Sequence, residues 1–269
     1  MTPAPVIREE DKLKSYYKYY EAGIAPIAQE DIDFANGEGM RKMGEGLEFA
    51  DRNLLLSPES HPAAPGVYPL KAGGYLVASN IPTPDITGDM MRWWTAWHSL
   101  DSFRYIMWDP DDHYGIELSD EDRARVLDPN VPLMEKTWGT TQIVSEKMLD
   151  EPPETLKLHI CDPATMGFDV SLIGTPACRY LSVARAEVGP VHVVVAATLA
   201  ETPEGNEFRE RFWVGYDYEN GVETCMFPAG VDIPPVAEAQ KGTLLHTRKE
   251  YRNLNKILPK LYAEEKDRW

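Results

Sequence analysis

Between residues 138 and 217 the chain passes through short strand-like segments with no helical pattern between them, and a single long amphipathic stretch then follows. The segments are 139–147, 156–161, 177–187, 191–200 and 209–217, with turn signals at Asp162-Pro163, Thr202-Pro203-Glu204-Gly205 and Asn220-Gly221. Strands in succession without alternating helices predict an antiparallel sheet rather than a parallel α/β one. In the stretch 244–261, Leu244, Leu254, Ile257, Leu258 and Leu261 recur at the three-to-four-residue spacing of one buried helical face. A curved sheet wrapped around that helix would leave a pocket between the two, so the expected fold class is α+β.

With 269 residues the chain can form one large domain, or a core domain with a subdomain. Its formal charge of −17, from 44 acidic against 27 basic residues with no basic stripe, argues against nucleic acid and anionic membranes as partners. Cys161, Cys178 and Cys225 are odd in number and lack CxxC spacing, which supports neither a disulfide framework nor a zinc ribbon. No apolar run has signal-peptide or membrane-span character, so a cytoplasmic protein is expected.

A polar arm precedes a tyrosine-rich segment, 11–21, which suits a partly buried helix or a homodimer contact. Residues 31–53 have helical character interrupted by GEGMRKMGEG, whose glycines form a turn rather than a dinucleotide loop. The Pro-rich stretch 57–67, which contains His61, marks the expected boundary between an N-terminal helical subdomain, 1–62, and the main domain, 63–269. Two short strands around Lys71-Ala72-Gly73-Gly74 come next. Thr87 or Asp89 then starts a helix holding Trp93, Trp94 and Trp97, a density of tryptophan that demands burial, and His98 ends it. A strand ending in Trp108 is expected to lead into the turn Asp109-Pro110-Asp111-Asp112, just past which stands His113.

On the C-terminal helix, His246 and Glu250 stand four residues apart, so their side chains lie one turn above each other. An imidazole and a carboxylate so placed can bind a divalent metal. His98 and His113 equally suit hydrogen-bonded or loop histidines when taken alone.

The segments WWTAWHSLDSFRYIMWDPDDHYG, IVSEKM, ERFWVGY and LLHTRKE, in this order, resemble the 2,4-diacetylphloroglucinol and phloretin hydrolase family. The resemblance implies a Bet v 1-like helix-grip domain, with a smaller helical N-terminal subdomain, that hydrolyses a carbon–carbon bond. It further implies a metal held by His113, Glu146, His246 and Glu250, zinc being expected and iron(II) the other candidate; Glu135 competes with Glu146. Tyr105 matches the tyrosine that hydrogen-bonds a phenolic oxygen of the substrate, and His98 and Tyr216 join it as candidate catalytic residues. The implied ligand is a small aromatic or polyketide-like molecule.

Two departures from the family pattern bear on the chemistry. HYGIEL has no substrate-binding asparagine, and Ala197 stands where a histidine is expected; His192, an odd number of residues away, would face the other side of the sheet. These gaps keep open a metal-assisted lyase, isomerase or cyclase, and a non-catalytic binder of aromatic or lipid-like ligands.

Overall fold

The computed structural model describes residues 5–57, 64–149 and 151–269. Helices α1 (Tyr17–Glu21) and α2 (Gln29–Asn36) precede strands β1 (Gly66–Pro69) and β2 (Tyr75–Pro82). Helices α3 (Gly88–His98) and α4 (Ser102–Ile106), strand β3 (His113–Leu118) and helix α5 (Asp120–Leu127) follow. Strands β4 (Thr141–Glu146), β5 (Glu154–Cys161), β6 (Tyr180–Val188), β7 (Val191–Thr202), β8 (Gly205–Val214), β9 (Tyr216–Glu219) and β10 (Val222–Cys225) lead to helix α6 (Pro234–Glu265). Eight strands form one antiparallel sheet in the order β1-β2-β8-β7-β6-β5-β4-β3, while β9 and β10 form a separate hairpin.

The sheet curls around α6 in a helix-grip arrangement. Side chains alternate along its strands, so Phe208, Ala197 and Ile81 pack with Leu254, Leu258 and Leu261 of α6 on one side. Trp213, Leu76 and Val194 point the other way, where Phe49, Leu55, Leu56, Met166 and Phe168 cover them. Both faces are therefore buried, which explains strands richer in Val, Leu and Ala than a half-solvated sheet requires. Pro234 and Pro235 open α6, where a missing N–H costs nothing, and the helix runs 32 residues, well beyond the expected 244–261.

The N-terminal stretch is layered onto these same cores. Tyr16 packs edge-on to Trp97 and stacks on Phe103, so the tyrosine cluster is used within the chain. Residues Gly39 and Arg41 hydrogen-bond to Val67 at the sheet edge. The expected boundary between residues 62 and 63, and His61, lie outside the described residues.

Thr87 caps α3 as expected, accepting from the Met90 N–H. Two expectations need correction. Residues 103–108 do not form a strand: Asp101 accepts a hydrogen bond from the Phe103 N–H and starts α4, so capping outweighs the strand preference of an aromatic run. The strand expected over 209–217 is broken at Gly215, whose φ of 92° ends β8 and starts β9 with a change of side.

Candidate metal centre

His113 and Glu146 are direct cross-strand partners on β3 and β4, next to a bulge between His113 and Gly115. Bulges re-aim side chains at sheet edges, and β3 is the edge strand. The helix contributes the other half, since His246 and Glu250 lie one turn apart on α6 and both are buried. Glu250 Oε2 lies 3.4 Å from His113 Nε2 and 3.7 Å from His246 Nε2, and Glu146 Oε2 lies 3.9 Å from His113 Nε2. Ligand atoms of His113, Glu146 and His246 fall within 4.8 Å of one another. These spacings suit donors around a common cation better than direct hydrogen bonds. Glu135, on a separate turn at Leu133–Glu135, is not part of the cluster.

The surroundings fix how these groups present themselves. His113 Nδ1 lies 3.0 Å from the Tyr105 carbonyl oxygen and donates to it, which leaves the Nε2 lone pair facing the cluster. That buried Nε2 has no hydrogen-bond partner among the described residues, an expensive state unless a cation takes the lone pair. Burial and the nearby His246 hold the His113 pKa well below its ordinary value, so the ring is neutral, as ligation requires. Tyr105 stacks on the His113 ring at 4.0 Å, and its hydroxyl donates to Glu146 Oε2. Burial, then the Glu146 charge, raises the Tyr105 pKa well above the ordinary value. Burial, with Glu210 and Glu146 nearby, likewise raises that of Glu250. Trp108 donates from Nε1 to the Glu250 carbonyl and so ties the turn before β3 to α6.

A second acidic group lies directly behind His246. Its Nδ1 is 3.5 Å from Asp112 Oδ2. Lys249 makes an ion pair with Asp112 and sits 3.0 Å from Asp109 Oδ2. Burial opposes ionisation of both Asp112 and Lys249, yet their partners win: hydrogen bonds from His246 and Lys249 lower the Asp112 pKa, and Asp109 and Asp112 raise that of the Lys249 ammonium. An open groove of about 1080 Å³, lined by Asp112, Lys147, Met148, Leu245 and Lys249, reaches this outer set.

Among the candidate catalytic residues, Tyr105 lies at the cluster and His98 behind it. His98 Nδ1 is 2.6 Å from the Trp94 carbonyl oxygen, its ring stacks on Trp94, and its ring centre is 6.0 Å from that of Tyr105. Burial lowers its pKa to about 4. Tyr216 needs correction. The break at Gly215 turns it to the other side of the sheet, where it packs with Trp213 and Phe49 and donates to the Gly73 carbonyl. His192 faces outward, 3.0 Å from Asp217, as its odd offset from Ala197 requires.

Sequence reasoning missed Glu210. It stands on β8 between Phe208 and Phe212, which face α6, and is paired in register with Ala197. Burial and the Glu146 charge push its pKa up to about 8, and Glu210 in turn acts on Glu250, so the three carboxyls share one electrostatic environment. The signal was available in the Phe-x-Glu-x-Phe alternation, which puts the glutamate on the apolar side.

Comparison with known proteins gives the family. A phloretin hydrolase from Eubacterium ramulus is 40% identical over 266 residues, covering 97% of this chain and 94% of its own. A 2,4-diacetylphloroglucinol hydrolase from Pseudomonas protegens is 28% identical over 232 residues, covering 80% of this chain and 72% of its own. Among solved structures, that of Ara h 8.0201 aligns with 68% of this chain and 99% of its own at a TM-score of 0.36 and 14% identity. The family model described as DAPG hydrolase PhiG domain matches residues 47–263, and the chain belongs to this family of carbon–carbon bond hydrolases.

Proposed function

We propose that this protein is a zinc-dependent hydrolase that splits the bond between an acyl carbon and a ring carbon of an acylated polyphenol. Iron(II) is the other candidate metal. The observation that carries the reading is the convergence of His113 and Glu146 from a strand pair with His246 and Glu250 from one helical turn. Two imidazoles and two carboxylates suit a borderline cation such as zinc, and the unpartnered His113 Nε2 fits a ligating atom. Bound there, a divalent cation would polarise the acyl oxygen and lower the pKa of a water. Both relatives are named hydrolases, which supports hydrolysis over the lyase, isomerase, cyclase and binding-protein alternatives.

The chain's own residues supply orientation and proton handling. In the net reaction the water oxygen ends on the acyl carbon and the ring carbon takes a proton. Glu146 and Glu250 hold the cation as carboxylates, and either one, when partly released from it, is suited to carry that proton. Tyr105 fixes Glu146 and presents a hydroxyl to a phenolic oxygen, while Trp108, Tyr251 and Phe208 form an aromatic wall. Three free thiols fit a reducing, cytoplasmic setting.

Incubation with acylphloroglucinols should release one carboxylic acid per ring product, and elemental analysis of untagged protein should find about one zinc or iron per chain. Intact substrate and metal-free protein would sink the reading. In Tyr105→Phe, metal affinity should fall by about 10- to 100-fold if holding Glu146 is the main role. A raised KM with unchanged metal content would assign the tyrosine to the substrate instead.

A further inference from the structure

Ser79 on β2, Glu210 on β8 and Ala197 on β7 stand side by side in strand register, all on the side of the sheet that faces α6. Thr247 of α6, one residue beyond His246, lies opposite and acts on the Glu210 carboxyl. All four residues are buried, and Ala197 is the smallest side chain among them. Ser79 Oγ has no hydrogen-bond partner among the described residues, and Glu210 Oε2 and Thr247 Oγ1 have none at full hydrogen-bond geometry, although the Thr247 hydroxyl faces the Glu210 carboxyl closely enough to lower its pKa. One buried orphan costs about 1–3 kcal/mol, so an unpartnered Ser79 beside an incompletely satisfied Glu210–Thr247 pair marks a place shaped for a polar group from outside the chain. The place is continuous with the metal centre: His113 meets Trp108, Trp108 meets Tyr251, and Tyr251 stacks at 3.7 Å on Phe208, two residues before Glu210.

On the reading that the site takes an acylated polyphenol, we propose that Glu210, with Ser79 and Thr247, forms the subsite that receives a ring hydroxyl of the substrate. A carboxyl oxygen accepts the phenolic O–H, and the two hydroxyl side chains satisfy the remaining lone pairs. Glu210 thus selects rings carrying a further hydroxyl over rings that lack it or carry a methoxy group there. An aromatic plane resting on Phe208 and Tyr251 brings its edge to this row.

The test uses the metal-loaded full chain and measures binding of phloroglucinol and resorcinol, which differ by one hydroxyl, by calorimetry. The unaltered protein should prefer phloroglucinol by about tenfold or more, as expected for one hydrogen bond to a buried carboxyl. Glu210→Ala should abolish that preference while leaving resorcinol affinity within about twofold. Glu210→Gln keeps an acceptor and should retain part of the preference, and Ser79→Ala should weaken it. An undiminished preference in Glu210→Ala and Ser79→Ala, or no binding of either ring by the unaltered protein, overturns the subsite. Should Glu210→Ala fail to fold, Glu210→Gln and Ser79→Ala decide alone. Assays of acid release separate the two readings: ring discrimination lost in the variants without any acylphloroglucinol cleavage retains the subsite and removes the hydrolase reading. Cleavage with discrimination unaffected does the reverse.

Discussion

Two buried acidic groups lie back to back along α6, and they are neutralised in different ways. Asp109 and Asp112 have their cation built into the chain, the Lys249 ammonium. Glu146 and Glu250 face two imidazoles, and among the described residues no lysine or arginine pairs with them. A carboxylate pair with its own ammonium is complete as structure. A carboxylate pair beside the His113 Nε2 lone pair, unpartnered among the described residues, calls for a cation from solution. The same helix therefore carries a structural ion cluster and a candidate cation site one residue apart, at Lys249 and Glu250.

Removing the external cation should produce the largest change. His246→Ala should reduce turnover to background and abolish stoichiometric metal, while the unaltered protein treated with chelator should melt lower by on the order of 10 °C. Melting and turnover indifferent to chelator would erase the contrast. Removing the internal cation comes next: Lys249→Met leaves Asp109 without its ammonium and Asp112 with only Lys147 and His246, and should cost on the order of 3 kcal/mol in denaturant unfolding. Because Asp112 backs His246, metal affinity should also fall by about 10- to 100-fold, measured by competition with a chelating dye. Full stability in this variant would show that the aspartates need no partner.

A third effect separates burial from metal binding. The His98 pKa drops from 6.5 to about 4 on folding, so the unfolded chain binds the proton more readily between those values. Its share of stability is complete above pH 6.5 and is lost as pH falls toward 4, reaching about 3 kcal/mol at roughly 1.4 kcal/mol per pH unit. His98→Phe should flatten that part of the stability profile; an unchanged slope would show that other groups set it. The smallest effect belongs to the exposed pair of Lys18 with Glu264 near the end of α6. Lys18→Ala should change stability by at most about 1 kcal/mol. A larger loss in a urea titration would mean that exposed pairs on this helix matter as much as buried ones.

The candidate cluster was legible mainly through the family resemblance: the four-residue spacing on α6 names only the His246–Glu250 pair, and the cross-strand pair His113–Glu146 lies in segments that carry the resemblance. The sheet was legible from its turns, and the Asn220-Gly221 signal marks the separate β9–β10 hairpin, where φ values of 53° and 81° fit a tight turn. Tyr216 was misplaced because the side of a strand residue depends on every residue between, and Gly215 resets the count. Residues 103–108 misled because aromatic residues suit strands, whereas the deciding group, the Asp101 carboxylate, lies outside the run. Glu210 stayed hidden between Arg209 and Arg211, where a glutamate resembles one more charge on a solvated face. Its burial is set by Phe208 and Phe212 on either side of it.

The phase of α6 makes the chain sensitive to length in a way that substitution studies do not probe. His246 and Glu250 share one helix with Leu254, Leu258 and Leu261, and these groups keep their mutual orientation only while the residue count between them holds. One residue inserted between Glu250 and Leu254 turns the ligand pair about 100° away from the apolar stripe. Either the stripe or the ligands could then face the sheet, but not both. Insertions and deletions in this family should therefore collect in the hairpins and connecting loops, with the helix interior conserved in length even where its residues vary.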